Sequence, residues 1–346
     1  MLEVDGSQKS GSGTILRLSV AMSAILNEPL HIYNIRQNRP QRGLRPQHLE
    51  AVLTAARLCR ADTQGVQLNS GELWFYPSAI VGGNVEAEIG TAGSIPMLLI
   101  TVLPICAFAK TPVHLLVSNG GTDVAHSPTI NYLDCVLLPV LEETGLKTSL
   151  AVHKYGYYPK GMGEVLITVQ PNPKLVSFRL EDFGTLTSVE GISVCTFLAD
   201  RRVSERQAGA ASEVLKSRGY PANIRVVNDF SNSLQKGSSL TLWAKTDKQV
   251  LLGGDAIGEL KKPSEAVGRE AAENLLREIE TQATVDVHLA DLLIPYMALA
   301  EGESVFLTRT ITSHLETNMW LTQEILGAKF ETSKVGNLYR VEKKPA

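Results

Sequence analysis

Cysteine is scarce in this sequence of 346 residues: Cys59, Cys106, Cys135 and Cys195 stand far apart with no C-x-x-C pair. That spacing offers neither a disulfide framework nor a thiolate metal site, and the apolar runs around all but Cys59 mark buried thiols. Long hydrophobic runs are missing too. The longest, residues 95–109, is broken by Pro96 and Pro104 and falls short of the ~20 apolar residues a bilayer crossing needs, so no membrane span is expected. Met1-Leu2-Glu3-Val4-Asp5 is acidic and lacks the basic and apolar regions of a signal peptide, which makes the cytoplasm the expected compartment. No charge of one sign prevails. Lys and Arg number 33 against 36 Asp and Glu, a net charge of −3, which excludes a surface basic all over for binding polyanions. H-E-x-x-H and G-x-S-x-G motifs are absent, which removes zinc-protease and serine-hydrolase readings.

What is present is an ordinary globular mix, 44% hydrophobic and 20% charged, in a length that suggests two domains. Val4 opens a short strand, Gly11-Ser12-Gly13 turns it, and residues 15–26 carry apolar side chains at helical spacing before a strand at 30–35. A helix at 47–58 and a hairpin near 66–76 close this unit, giving strand, helix, strand, helix, strand, strand. Residues 85–169 repeat the order, with helices near 94–108 and 129–144 and a closing strand pair at 149–154 and 163–169. A third, less regular copy is assembled from helices near 265–280 and 289–300, a strand at 304–308, a helix at 315–326 and a strand at 338–341. Between them, 186–260 has its own strands and a helix at 203–217. The expected fold is therefore α/β (α+β): three repeated βαβαββ units forming one large domain, residues 1–185 and 261–346, with a small inserted α/β domain at 186–260.

Polar chemistry gathers at the strand ends. Gly6-x-x-x-x-Gly11 has the glycines of a phosphate loop, but Ser12 stands where that motif needs lysine, so a plain turn or another anion-handling role at a helix N-terminus remains. Residues 1–60 hold Lys9 and seven arginines against four carboxylates. Arg36, Arg39, Arg42 and Arg45 follow a strand in a segment interrupted by Pro40, Gly43 and Pro46, which makes them a loop. Four planar donor forks there are either a solvated basic loop or a phosphate clamp, and Gln47 and His48 continue from it into the next helix. Gly120-Gly121-Thr122-Asp123 is another polar turn after a strand, and 155–163 packs three tyrosines among glycines. Arg201, Arg202 and Arg206 lie at the start of the inserted helix, where they suit an RNA contact. In Thr312-Ser313-His314-Leu315-Glu316, Ser313 and Glu316 form a capping-box pattern that starts a helix at His314. The positive end of that helix disfavours imidazolium and keeps the ring neutral and nucleophilic.

These residues, in this order, resemble the RNA 3′-terminal phosphate cyclase family over nearly the whole chain. The matching marks are Asp5-Gly6 with Ile15-Leu16-Arg17, Ile35-Arg36 with Arg39, Gly43-Leu44-Arg45 with Gln47-His48, Gly90-Thr91-Ala92-Gly93-Ser94, Gly120 to Asp123, Tyr157-Tyr158-Pro159 with Gly161 and Gly163-Glu164-Val165, and Ser313-His314 with Thr317-Asn318. The resemblance implies three repeats like the C-terminal domain of translation initiation factor three, and ATP-dependent conversion of an RNA 3′-phosphate to a 2′,3′-cyclic end through histidine–AMP and RNA–adenylate intermediates. It implies His314 as the nucleophile and Arg17, Arg36, Arg39 and Gln47 as the grip on triphosphate and RNA phosphate, with His48 beside them. It also implies ATP and RNA as partners, Mg or Mn as a divalent companion, and His288 and Asp291 in the nucleotide pocket, His288 where the family tends to place a tyrosine against adenine. The sequence departs from the family in its first loop, where Gly-Glu-Gly-Gly-Gly-Gln is usual and Lys9-Ser10-Gly11-Ser12-Gly13-Thr14 stands here. The carboxylate is missing at Ser10, and Met162 replaces a family glycine. Relatives of this fold that have lost catalysis and act in ribosome assembly supply the alternative, a catalytically altered or inactive cyclase-like protein that binds RNA or acts in assembly. The sequence gives no oligomeric state.

Overall fold

The computed structural model describes residues 1–345. The first unit runs β1 (Leu2–Asp5), α1 (Gly13–Leu26), β2 (Leu30–Tyr33), α2 (Pro46–Cys59), β3 (Asp62–Gln64) and β4 (Leu73–Tyr76). Its sheet has the order β1-β2-β4-β3, with β1 and β2 parallel and the remaining pairs antiparallel. The second unit is β5 (Gly83–Glu88), α3 (Ile95–Ala107), β6 (Val113–Gly120), a helical stretch, β7 (Lys147–Lys154) and β8 (Gly163–Gln170). Its order, β5-β6-β8-β7, repeats the first. The helical stretch joins α4 (Ile130–Tyr132) to α5 (Leu138–Glu143) through a π turn at Leu133–Leu137. Strand alternation drives these sheets: β8 buries Val165, Ile167 and Val169 and turns Glu164, Leu166 and Thr168 outward.

The third unit keeps the sheet order of the other two but is interrupted. It opens with β9 (Arg179–Leu180), leaves through the insert, and resumes with α8 (Val287–Leu299), β14 (Ser304–Thr308), α9 (Ser313–Leu326), β15 (Phe330–Val335) and β16 (Leu338–Lys343). Its order is β15-β16-β14-β9, the same arrangement read from the other side. The helix expected to belong to this copy, α7 (Ser264–Thr281), packs elsewhere. Strands β10 (Leu186–Thr196), β11 (Asn223–Asp229), β12 (Gly237–Thr246) and β13 (Leu251–Ile257) form the insert's sheet, order β11-β10-β12-β13. Val267, Ala271 and Leu275 of α7 share one core cluster with Leu240, Leu242 and Leu252 of that sheet and with Ala211 and Leu215 of α6 (Val203–Ser217). On this packing we propose 186–281, rather than 186–260, as the inserted unit.

Helix α1 packs against α2, α3 and α9, and α9 against α8, so the helices of all three units meet in one core cluster. The insert is clamped to that core by Tyr132, whose hydroxyl donates to both oxygens of Asp286 at 2.7 and 2.8 Å while Gly253 N donates to the same carboxylate at 2.9 Å. Gly253 is required there, because a Cβ would stand 2.3 Å from the Tyr132 ring. The four cysteines are unpaired thiols, three of them buried. Among the described residues no helix is long and apolar enough to cross a membrane.

Candidate active site

Three helix N-termini converge. Helix α1 begins at Gly13 behind its N-cap Ser12, α2 at Pro46 behind Arg45, and α9 at Ser313 behind Thr312. The cap of α9 is therefore one residue earlier than the expected Ser313: Thr312 Oγ1 accepts from Leu315 N at 2.9 Å, and His314 becomes the second helical residue. Gly13 permits the closest approach in the site. A Cβ there would lie 2.2 Å from His48 Nε2 and 2.8 Å from an Arg17 nitrogen. The free N–H groups and dipoles of three helices thus face one volume, a strong setting for anions.

That volume is a cavity of about 770 Å³ whose lining includes Arg17, Arg36, Arg39, Gln47, His48, His288, Asp291 and His314. The structure brings together the residues that the resemblance assigns to the nucleotide and phosphate site. His314 is half-buried and open to the cavity, and its Nδ1 lies 3.3 Å from Thr14 Oγ1. Arg17 Nη2 donates to the same hydroxyl at 3.4 Å. Arg36 is held in the left-handed region, φ +55°, with its guanidinium donating to the carbonyls of Gln41 and Gly43 at 2.6 and 3.0 Å. Arg39 is exposed and reaches Ser10 O at 3.4 Å. None of Arg17, Arg36 and Arg39 forms an ion pair among the described residues, so three guanidinium groups line the cavity without a carboxylate partner in contact. The other two arginines of the loop do not line it: Arg45 donates to Asn69 Oδ1 at 3.0 Å, and Arg42 lies outside.

Gln47 and His48 are more structural than their sequence position suggests. Gln47 Oε1 accepts from Ser94 N at 2.8 Å and ties α2 to the start of α3, leaving its amide nitrogen as the free donor. His48, 4% exposed, accepts from Arg45 N at 3.4 Å through Nδ1. Burial, reinforced by Arg17, Arg36 and Arg45, pushes its pKa down to about 2, so this ring is a neutral wall. The pKa of His314 is also lowered, first by burial and then by Arg17, Arg39 and His288. Burial brings Arg17 down to about 10, which leaves it charged at neutral pH.

On the α8 side, burial raises Asp291 to about 7. Its Oδ1 accepts from Thr312 Oγ1 at 2.5 Å, which fixes the cap that carries His314. Pro295 cannot donate to the carbonyl four residues back, and Asn318 Nδ2 of α9 fills that place, donating to Asp291 O at 2.7 Å. His288 is exposed at the rim. Sequence reasoning missed the rest of the wall. Met97, Ile100 and Pro104 of α3 face Leu292 and Pro295 of α8 and form an apolar section, and the insert adds Asp255 and Glu259. The prolines inside two apolar helices were the visible signal for the first group. A lone aspartate in a strand gave none for the second. Thr14 was also missed as the partner of His314. The turn at Gly120–Asp123 supports the wall: Thr122 N donates to Gly156 O at 2.8 Å, Asp123 is buried, and the following residues, Val124 to Pro128, line the cavity.

A family model described as RNA 3′-terminal phosphate cyclase matches residues 8–332. Among curated relatives, an RNA 3′-terminal phosphate cyclase of Pyrobaculum aerophilum is 41% identical over 341 residues, covering 99% of this chain and 97% of its own. Proteins of the same description from Methanosarcina barkeri and Pyrococcus furiosus are each 43% identical, over 99% and 96% of this chain and 99% and 95% of theirs.

Proposed function

The chain belongs to the RNA 3′-terminal phosphate cyclase family, and from that premise we propose that it uses ATP to close an RNA 3′-phosphate onto the neighbouring 2′-hydroxyl, with His314 as the carrier of AMP. The observation that carries this reading is a single neutral imidazole at the N-terminus of α9, sharing one cavity with three unpaired guanidinium groups. In the tautomer whose Nδ1–H donates to Thr14 Oγ1, 3.3 Å away, Nε2 keeps its lone pair for the α-phosphorus of ATP. The N–P bond forms as the bond to pyrophosphate breaks. An oxygen of the RNA 3′-phosphate then attacks the same phosphorus, the N–P bond breaks, and the RNA carries a terminal adenylate. The 2′-hydroxyl attacks the 3′-phosphorus, AMP departs with the bonding electron pair, and the hydroxyl proton passes to water. Each step is a displacement at phosphorus, where positioning and charge neutralisation supply most of the rate.

In this reading Arg17, Arg36 and Arg39 bind the phosphates, the free amide nitrogen of Gln47 adds a donor, and His48 shapes the wall behind them. The section from Met97 to Pro104 with Leu292 and Pro295 takes the adenine, and His288 stacks on it at the rim. Asp291 holds the α9 cap through Thr312. The residues do not fit a resident divalent ion. Among the described residues no group of three His, Cys, Asp or Glu side chains is placed to hold one, and Ser10 stands where the family pattern has a carboxylate. We therefore assign the divalent ion to ATP, as its counter-ion, and derive no step through it. The test is direct: a 3′-phosphorylated RNA incubated with protein and ATP gains a phosphatase-resistant cyclic end, and Arg39→Ala reduces the rate about tenfold or more with the melting temperature unchanged. An end that stays phosphatase-sensitive with the wild type would refute the reading.

A further inference from the structure

Two features of the sequence lie outside the cavity, the tyrosine-rich segment 155–163 and the arginines that open the inserted helix, and the structure joins them into one surface. Tyr157 is buried, its ring pressed on Gly237, where a Cβ would approach within 2.1 Å. The next residue, Tyr158, is 79% exposed. The loop after β11 is bonded to this segment at several points: Asn232 Nδ2 donates to Tyr155 O at 2.7 Å, Gln235 Nε2 to Tyr158 O at 3.0 Å, and Lys160 N to Gln235 Oε1 at 3.2 Å. That loop displays Phe230 and Leu234, 62% and 60% exposed. The Phe230 ring meets Phe197 edge-on at 5.5 Å, and Phe197 N donates to Asp229 O at 3.0 Å.

Exposed apolar side chains gathered on loops that bond to one another mark an interaction site, as scattered ones do not. Here the partner's chemistry is legible in the charges. Lys160, Lys236, Arg201 and Arg202 are exposed and form no ion pair among the described residues. Arg206 is excluded from the set because it is locked onto Glu265 by two bonds of 2.7 and 2.8 Å. Of the nearby carboxylates, Asp229 is held by Thr196 Oγ1 and Ser231 N and Glu205, beside Arg202, by Ser204 Oγ and Asn228 Nδ2, which leaves Asp200 as the exposed one. Cations interleaved with aromatic faces match a single-stranded nucleic acid, whose bases stack and whose phosphates pair.

The surface is also continuous with the cavity. Gly161 lies against the turn Gly90–Ser94, where its Cβ would be 2.7 Å from Thr91 O, and Gly93 of that turn abuts Gln47, with 3.0 Å to its Cβ. Gln47 lines the cavity. We infer that Tyr158 and Phe230, with Lys160, Lys236 and the Arg201-Arg202 pair, form the track for the RNA strand upstream of its 3′ end, an inference that rests on the cyclase reading. Bases preceding the terminal nucleotide cross the Gly90–Ser94 turn and stack on the two rings.

The experiment measures binding and turnover separately. Fluorescence anisotropy of a 5′-labelled decanucleotide RNA with a 3′-phosphate compares wild type with the double variant Tyr158→Ala/Phe230→Ala, whose melting temperature is checked in parallel. The expected result is Kd about tenfold higher or more for the variant, with cyclisation of a 3′-phosphorylated dinucleotide, which lacks the upstream bases the track would hold, unchanged. Equal affinity for the decanucleotide overturns the track and assigns the patch to a protein partner, while leaving the cyclase reading intact if the dinucleotide is still cyclised. Lost affinity without cyclisation by the wild type keeps the rings as an RNA-binding surface and overturns the cyclase reading, and with it the placement of the strand relative to a reacting 3′ end.

Discussion

The behaviour of His314 follows from what surrounds one ring. Protonation would remove the lone pair that attacks phosphorus, and burial followed by Arg17, Arg39 and His288 opposes protonation. The sign is fixed: a lowered pKa keeps the ring neutral at pH values where an ordinary histidine is half charged. In the ATP-free protein the His314 resonance, followed by NMR of ¹³C-labelled histidine, is expected to titrate below pH 6.5. Arg39→Gln, which deletes a positive neighbour on an exposed loop, moves that midpoint upward. A His314 midpoint above 6.5 in the wild type would contradict the electrostatic account. The same scale shows what the sequence departures mean. Lys9 and Met162 both stand in the left-handed region, φ +47° and +63°, where glycine has no penalty. This explains why a glycine is usual at each, but the structure gives no reason for the replacements.

At the level of elements, the site is made by where helices begin. Helix α1 starts on a glycine because the His48 ring occupies the space of a side chain. Helix propensity favours Gly13→Ala by less than the roughly 1 kcal/mol of a helix interior, because Gly13 is the first helical residue; overlap with the buried His48 ring typically costs about 1–3 kcal/mol. The steric penalty outweighs the gain in propensity. Gly13→Ala is expected to lower the melting temperature and, by displacing Thr14 and Arg17, to slow adenylation more than tenfold. A variant as stable and as active as wild type would show that α1 is not set by this contact. Helix α9 is positioned by a different device. Thr312 and Asn318 both bond to Asp291, and the mid-helix Pro295 leaves the second of those acceptors open. None of this was readable from the Ser313 and Glu316 capping pattern, which located the helix start to within a residue and left the partner across the cavity unseen.

For the whole molecule, repetition made most of the fold legible. Alternating and helical spacings recur in the first two units, and the matching sheet orders follow from them. The third unit was obscured because its first strand is two residues long and its continuation lies beyond the insert. Helix α7 was placed with the wrong neighbours for a physical reason: an amphipathic stripe specifies that a helix buries one face and says nothing about which sheet receives it. The arginines were visible as an excess of one charge in residues 1–60. The apolar and insert-side walls were not, because they are assembled from single residues of elements far apart in the chain. The central claim, that a histidine reached by three units of one core becomes covalently loaded with AMP, is tested by mass spectrometry of the protein after incubation with ATP and pyrophosphatase. The account predicts an intact mass increased by one AMP residue, carried by the peptide containing His314 and absent from His314→Ala. An adduct on any other residue, or one that persists in His314→Ala, would contradict it.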